Sequence, residues 1–444
     1  MRTLLLSAAF AVVAASPAAA QDLRGLVSEL FIFGEGEEAL FLGGSADPDN
    51  PTGVQAHGDH YVPSAVEGNA TIISFLTGSI GASIGSLPVS AASGGSTFRF
   101  EGGAPVRTSV SAGPIFGERA QTLGRGRLLA GLHRSSASFQ MLRGVDLDNV
   151  DLTFTHENVD FPGCDEAFGG DCSLAGVPDF ENATIDLRLR LDIDLTVTSF
   201  LMSYGLTDRI DVGVVVPLVN TSLRGQSDAQ IIPFGGGPAP HFFDGTVDDP
   251  VLTASRFVDG SATGLGDVAT RVKINLRESL PVAIGILAEA RLPTGDEDDL
   301  LGAGSFAGRG LAIVSARFGE FSPHGNLGYL YRGGDSGTDA FIATIGFDQL
   351  LAPWATLAAD VVSEFEVGDT EREVPGDVVM EAPFRRTIRT SNLPDRRDDI
   401  VNGSLGVKLT NRQGLTFIAN GAWPLNRGGL RPDLFWTVGI EYNF

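Results

Sequence analysis

The chain has 444 residues, a formal net charge of −24, 57 glycines and 23 prolines. This composition argues against nucleic-acid binding, because a binder needs clustered Lys and Arg to displace counterions, and lysine occurs only at positions 273 and 408. No apolar run after the first twenty residues approaches the roughly 17 to 25 residues that a membrane helix needs.

The first twenty residues have the layout of a cleavable secretory signal. Arg2 precedes an apolar run over 4–13, and Ala18-Ala19-Ala20 precedes Gln21. We therefore predict a signal peptide over residues 1–20. Residues 21–125 carry apolar patches that Gly, Ser and Ala interrupt, and no long alternation survives there. Three interpretations of this N-terminal segment stay open: a plug inside the structure that the rest of the chain forms, a periplasmic or partly disordered extension, or additional strands.

Residues 126–444 contain segments with the alternating polarity of two-faced strands. In the clearest of them, residues 185–197, every odd position is apolar and every even position is charged or hydroxylated. The last segment alternates in the same way and ends in Phe444. The predicted strands are 126–138, 185–203, 210–220, 267–276, 282–292, 311–318, 324–332, 339–347, 355–366, 400–409, 415–423 and 434–444.

The connections between these strands alternate between short and long, with one exception at 333–338. A barrel with one short-turn rim requires this alternation. We therefore predict an all-β fold: a transmembrane antiparallel β-barrel of about 12 strands over residues 126–444, with an N-terminal non-barrel segment. Such a barrel belongs in the outer membrane of a Gram-negative cell, with both termini at the periplasmic, short-turn side.

Charged side chains on one face of a barrel strand are expected to point into the lumen, since charge is unfavourable against lipid. The predicted lumen-lining residues are Asp186, Arg188, Arg190, Asp192, Asp194, Arg271, Lys273 and Glu289. Pro217 interrupts a predicted strand, and proline removes one ladder hydrogen bond. A bulge near the rim is the favoured interpretation of Pro217, and a wall kink that opens sideways is the alternative.

Cys164 and Cys172 lie together in one long predicted loop of a secreted chain, which predicts a disulfide. No catalytic, cofactor-binding or metal site is predicted. His133 and Ser135 share a strand face, but that face is expected to point inward and no third orienting residue is evident. The acidic run at 296–299 is expected to be a solvated loop rather than a cation site.

Two motifs carry a family resemblance. Gly264-Leu265-Gly266-Asp267 opens one predicted strand, and Arg291-Leu292-Pro293-Thr294-Gly295-Asp296 closes the next. With these motifs, and with the preceding turn and strand at 204–219, the chain resembles the outer-membrane protein family of the meta-cleavage pathway of phenol degradation over roughly 190–444. The resemblance implies a transport barrel without defined binding residues. The motifs themselves are interpreted as structural. Gly permits a sharp turn into a strand, Asp267 can accept hydrogen bonds from backbone N–H groups, and Pro293 ends a strand.

These observations predict an outer-membrane channel for passive uptake of small solutes, including hydrophobic or aromatic ones. The alternative is a structural or adhesive surface barrel with a sealed lumen. Expected partners are outer-membrane lipid and lipopolysaccharide, a small-molecule solute, and the barrel-assembly machinery, which would recognise the strand ending in Phe444. Neither enzyme activity nor a cofactor is expected.

Overall fold

Alternating strands form a closed barrel in the computed structural model, which describes residues 22–33, 40, 42–47, 50–57, 98–101, 104–107, 111–155, 182–235, 241–279, 281–334, 338–368, 374, 376–380 and 384–444. The barrel strands are β1 (Leu128–Leu142), β2 (Thr184–Gly205), β3 (Ile210–Ile232), β4 (Val268–Ser279), β5 (Val282–Leu292), β6 (Ala307–Ala316), β7 (Phe321–Arg332), β8 (Ala340–Ala352), β9 (Ala355–Glu366), β10 (Ile400–Thr410), β11 (Leu415–Pro424) and β12 (Leu430–Asn443).

Each barrel strand pairs antiparallel with the next one along the chain, and β12 pairs with β1. The sheet therefore closes on itself with twelve strands, and the predicted all-β barrel fold is confirmed. The Phe444 N–H donates to the Leu128 carbonyl, so both ends of the barrel chain meet at the short-turn rim.

Smaller elements accompany the barrel. They are the helix α1 (Leu23–Glu29), a 3-10 helix (Leu147–Asn149) and the strands Leu42–Asp47, Asn50–His57, Phe98–Glu101, Ala104–Arg107, Val145–Asp146, Val150–Thr155, His241–Phe242, Asp244–Gly245, Pro250–Val251, Thr253–Leu265, Val378–Met380 and Arg386–Ile388. No helix among the described residues is long and apolar enough to cross a membrane. Cys164, Cys172 and the predicted signal peptide lie outside the described residues.

The barrel wall is apolar outside and polar inside, the reverse of a water-soluble protein. On β8, outward Ile345 is 70% exposed, whereas on β10 the inward Lys408 is fully buried. Other outward residues repeat this contrast, among them Phe200, Met202, Leu327, Phe341 and Phe417. Apolar area exposed on this scale is stable only against lipid, so the wall is that of a transmembrane barrel.

Beyond the lipid-facing wall, β2 and β3 continue as part of an extramembrane sheet, which we define as 150–155, 184–195, 219–232 and 253–265. The strand order is Val150–Thr155, β2, β3 and Thr253–Leu265. The prediction from the sequence that 221–266 form a loop is wrong, because the β2–β3 ladder continues without a register shift to Ile232.

The apolar face of the extramembrane sheet is buried. The odd residues of β2 from Ile185 to Leu195 are at most 3% exposed, and they belong to one core cluster with Leu23 and Val27 of α1. Helix α1 is tied to the long loop between β5 and β6, since the Asp22 N–H donates to Asp299 and Arg24 pairs with Glu297. The residues around α1 therefore lie at the long-loop side, not at the predicted periplasmic side.

Five predicted lumen-lining residues lie on the opposite, outward face of β2, so their assignment to the lumen was wrong. In this extramembrane part the outward face meets water, and the side chains form ion pairs or hydrogen bonds with neighbouring strands. In the lower part of β2 the same even face becomes apolar at Phe200, Met202 and Tyr204. The five residues are Asp186, Arg188, Arg190, Asp192 and Asp194, and their pairs include Arg188–Asp151 (2.8 Å), Arg190–Asp228 (2.7 Å) and Arg224–Asp192 (3.6 Å).

Pro217 lies where β3 changes partners, and no bulge accompanies it. Pairing with β2 is regular through Ser199 and Pro217, so the predicted bulge is wrong. The Gly266 N–H donates to the Pro217 carbonyl, which therefore faces the junction between Thr253–Leu265 and β4. Because the N and C=O of a strand residue point to the same side, the missing proline donor also falls at this junction, where no ladder bond is needed.

Candidate functional site

Residues 111–125 cross the inside of the barrel close to the short turns, and we call them the lumen strap. The strap is buried over most of its length but forms neither helix nor strand. Buried backbone groups need partners, and inward side chains of the wall supply them. The strap N–H groups of Ala112, Glu118, Ala120 and Leu123 donate to Thr356 (3.0 Å), Asn326 (2.8 Å), Ser315 (3.2 Å) and Asp211 (2.9 Å).

The Arg119 side chain of the strap forms an ion pair with Asp348 on β8 of the barrel wall. Arg119 Nε donates to Asp348 Oδ1 at 3.0 Å, and Asp348 is fully buried. Beside this pair, His324 Nε2 lies 2.7 Å from Asp360 Oδ1. A Cβ added to Gly117 would lie 2.3 Å from His324 Nε2, so the strap passes there only because residue 117 has no side chain.

The second charged side chain of the strap, Glu118, meets two of the predicted lumen-lining residues. Arg271 Nη1 is 3.1 Å from Glu118 Oε1, and Lys273 Nζ is 3.7 Å from Oε2. Lys273 also faces Asp211 at 4.0 Å. The structure thus places Arg271 and Lys273 inside the barrel, where each holds the strap to β4.

Glu289, the remaining predicted lumen-lining residue, also points inward and lies between arginines. It is directly opposite Arg271 on β4 and Arg309 on β6 in the strand register. Arg309 Nη2 is 2.8 Å from Glu289 Oε2, and Arg291 Nε is 3.6 Å from Oε1. Cross-strand pairs of opposite charge stabilise a sheet, and here they also line the interior.

A cavity of about 170 Å³ lies above the strap, with Phe116 and Glu118 in its floor. This volume is close to the roughly 150 Å³ of an apolar cavity that holds a benzene ring. The walls combine apolar and charged side chains from many strands. They include Phe139, Leu311, Leu330, Ile342, Val362, Ile400, Ala422 and Phe435 on the apolar side, and Asp267, Glu289, Arg291, Arg309, Arg332, Glu364 and Arg431 on the charged side.

The two family-like motifs contact each other at the rim of this cavity. Asp267 accepts the N–H groups of Gly295 (3.0 Å) and Ala303 (2.8 Å). Thr294 Oγ1 accepts the Val268 N–H at 2.9 Å and donates to the Gly266 carbonyl at 2.7 Å. The motifs thus fold the loop 293–306 over the rim, which agrees with their structural interpretation.

We expect the Asp267→Asn variant to loosen this loop, because an amide leaves one of the two N–H groups without an acceptor. A hydrogen bond to a charged acceptor contributes about 1.5 to 3 kcal/mol, so amide hydrogen exchange over 293–306 should become faster while exchange in the barrel strands stays unchanged. Mass spectrometry of the folded protein measures this. Asp298→Asn, an exposed position in the same loop, is the control, and equal exchange in both variants would contradict the role of Asp267.

Several cavity residues were not predicted from the sequence. Arg291 lies two residues after Glu289 on the same strand. The inward position predicted for Glu289 therefore also implied an inward position for Arg291. Arg309 was missed because the predicted strand began at 311, whereas β6 begins at Ala307. The strap was missed because its partners come from distant strands and it has no periodicity. Arg332, Glu364 and Arg431 are single charges near strand ends, where the alternation gives little signal.

His133 and Ser135 both point inward, as expected, but they have separate partners. His133 Nε2 lies 3.2 Å from Glu441 Oε1, and Ser135 Oγ lies 2.9 Å from Thr437 Oγ1. The acidic run at 296–299, expected to be solvated, in part contacts α1 through Asp299 and Glu297.

Comparisons with solved structures give membrane barrels of low similarity. An outer-membrane channel from Pseudomonas putida F1 is 11% identical, with 73% of this chain and 98% of that chain covered and a TM-score of 0.39. A FadL homologue from Pseudomonas aeruginosa is 11% identical, with 72% and 90% covered and a TM-score of 0.32. The toluene transporter TodX from P. putida is 8% identical, with 72% and 90% covered and a TM-score of 0.30.

Among curated proteins no sequence matches. Residues 177–377, which include β2 through β9 and both rim motifs, match the model of the family described as the MetA-pathway of phenol degradation. Over this part of the chain the family resemblance drawn from the motifs is confirmed.

Proposed function

We propose that the protein is an outer-membrane channel through which small aromatic or apolar solutes pass passively. The observation that carries the proposal is the cavity of about 170 Å³ inside a closed, lipid-exposed barrel. Its size suits one aromatic ring, and its mixture of apolar walls and a few fixed charges is typical of small-molecule sites. The family match over 177–377 also supports an aromatic solute.

In this proposal the lumen strap is a plug. It is held mainly by hydrogen bonds and ion pairs to wall side chains rather than by strand pairing, so it can shift without opening the barrel. Of the three interpretations of residues 21–125, a plug accounts best for the contacts of 111–125. Helix α1 and the strand Leu42–Asp47 contact the long-loop side, and the division into 1–20, 21–125 and 126–444 stays a prediction.

The solute and the surrounding lipid are the partners that this channel requires. We further propose that lipopolysaccharide surrounds the extramembrane end, and that the barrel-assembly machinery recognises the C-terminal strand ending in Phe444. The Cys164–Cys172 disulfide also stays a prediction. Catalysis has no part in the proposed function.

Outer-membrane vesicles from cells with and without the protein provide the test. We expect expression to raise the entry rate of radiolabelled benzyl alcohol, a neutral single-ring solute, and to leave the entry rate of sucrose unchanged. Sucrose serves as the size control because it exceeds the cavity. Equal benzyl alcohol rates in both vesicle types would contradict the channel and would favour the structural or adhesive barrel with a sealed lumen.

A further inference from the structure

One arginine of the cavity wall, Arg431, donates its hydrogen bonds to neutral groups. Arg431 is 3% exposed, and its Nη2 donates to the neutral oxygens of Val401 (2.9 Å) and Asn426 (3.0 Å). Its buried Nε has no acceptor. Within the described part of the chain, no carboxylate forms an ion pair with Arg431. A buried charge left in this state is unfavourable unless something else neutralises it.

The other charged side chains around the cavity already have ion-pair or hydrogen-bond partners. Arg291 and Arg309 share Glu289, and Arg332 pairs with Glu364. Asp267 accepts two backbone N–H groups, and Glu118 in the floor pairs with Arg271 and Lys273 from β4. Among the described residues, Arg431 is therefore the one arginine of the cavity lining that has no carboxylate in an ion pair.

The surroundings of Arg431 define the kind of anion that would fit. Both Nη2 hydrogens are engaged with Val401 and Asn426, so an anion would bind at the free Nε, and a hydrogen bond from a guanidinium N–H to a carboxylate oxygen is charge-assisted and therefore strong. Apolar side chains line the same cavity, including Phe139, Phe435 and Ile400. A molecule with one carboxylate and one ring would satisfy both features.

We propose that the cavity binds aromatic carboxylates, with the carboxylate on Arg431 and the ring between the apolar walls. This inference rests on the proposed channel function and names its preferred substrate class. The unpaired charge of Arg431 attracts the anion, and the apolar walls select a ring over a small inorganic ion.

The test compares benzoate with benzyl alcohol, which has the same ring but no charge, in outer-membrane vesicles carrying wild type, Arg431→Gln or Arg431→Lys. We expect Arg431→Gln to lower the benzoate entry rate about tenfold, the loss that one charge-assisted contact implies, with benzyl alcohol entry unchanged. Arg431→Lys should retain part of the benzoate rate. Arg188→Gln, on the exposed face of the extramembrane sheet, is the matched control and should behave as wild type.

Distinct outcomes would overturn the inference. Unchanged benzoate entry in Arg431→Gln, or an equal loss for both solutes, would contradict a carboxylate site at Arg431. Entry of benzyl alcohol without benzoate in wild type would overturn the substrate class and leave the channel standing, whereas entry of neither solute would contradict the channel itself. If the variants do not fold, calorimetry on wild type decides: benzoate should bind at least about tenfold more tightly than benzyl alcohol and chloride, and equal binding would overturn the inference.

Discussion

Replacing residues 111–123 by a Gly/Ser sequence of the same length should raise the single-channel conductance of the barrel several-fold. The replacement removes the Arg119 and Glu118 side chains that bind Asp348 and β4, so the strap no longer spans the lumen in one position. Water then fills the polar interior, as in barrels whose lumen is open. Planar-bilayer recordings measure the effect, and the chain length and the contacts of α1 stay unaltered.

Two further variants sharpen this experiment. Glu118→Gln combined with Arg119→Gln should give an intermediate conductance, because the backbone bonds to Asn326 and Ser315 remain. Arg188→Gln, outside the lumen, should conduct as wild type. If the Gly/Ser replacement conducted no better than wild type, the strap would not be the element that closes the barrel.

The second large effect is expected from Arg143→Met, which should lower the free energy of unfolding by about 3 to 5 kcal/mol, the loss typical of breaking a buried ion pair. Arg143 is fully buried beyond the outer end of β1, and its Nε and Nη2 reach the two oxygens of Asp398 at 2.8 and 3.0 Å. Asp398 also accepts the Gly429 N–H just before β12. Reversible urea unfolding in lipid vesicles measures the loss.

A rescue variant separates charge from packing. Asp398→Asn in the Arg143→Met background removes the uncompensated buried charge, so the double variant should be more stable than Arg143→Met alone. The matched control is Arg188→Met, because the pair that Arg188 forms with Asp151 is about half exposed and exposed ion pairs contribute little to stability. A loss in Arg143→Met no larger than in this control would refute the structural role of the pair.

The positions of the strands were largely predictable, because alternation and proline together mark them. β5 (Val282–Leu292) begins and ends at the predicted residues, and Pro281 and Pro293 stand on either side of it. β9 likewise follows Pro353 and begins and ends at the predicted residues. β3 was predicted too short, because its outer half pairs with β2 and with Thr253–Leu265 outside the membrane, where an exposed face of Ser, Gln and Arg resembles a loop.

The alternation of polar and apolar residues alone does not show which face of a strand points into the barrel. The segment 185–195 has one apolar and one charged face, and lipid was the expected neighbour of the apolar one. In the structure α1 and other buried segments cover that face. The charged face is in water, where hydrogen bonds from Ser255, Gln226 and Arg190 hold the pKa of Asp228, outside the membrane, below its usual value. Only long-range packing decides between these two orientations.

The lumen site was predictable only where a charge interrupts an otherwise regular strand. Arg271, Lys273 and Glu289 stand out in this way, and the structure places all three inside. The strap and Arg431 gave no such signal, since their importance comes from partners far away in sequence: Arg119 meets Asp348, and Arg431 meets Val401. Sequence periodicity describes each strand by itself, whereas the site depends on which strands face one another.

The change of the even face of β2 from charged to apolar also fixes how deep the protein sits in its bilayer. If the barrel sank, the charged residues from Asp186 to Asp194 would enter hydrocarbon. If it rose, Phe200 and Met202 would be lifted into water. One immersion depth is therefore strongly preferred, and a thicker or thinner bilayer has to deform locally around the barrel.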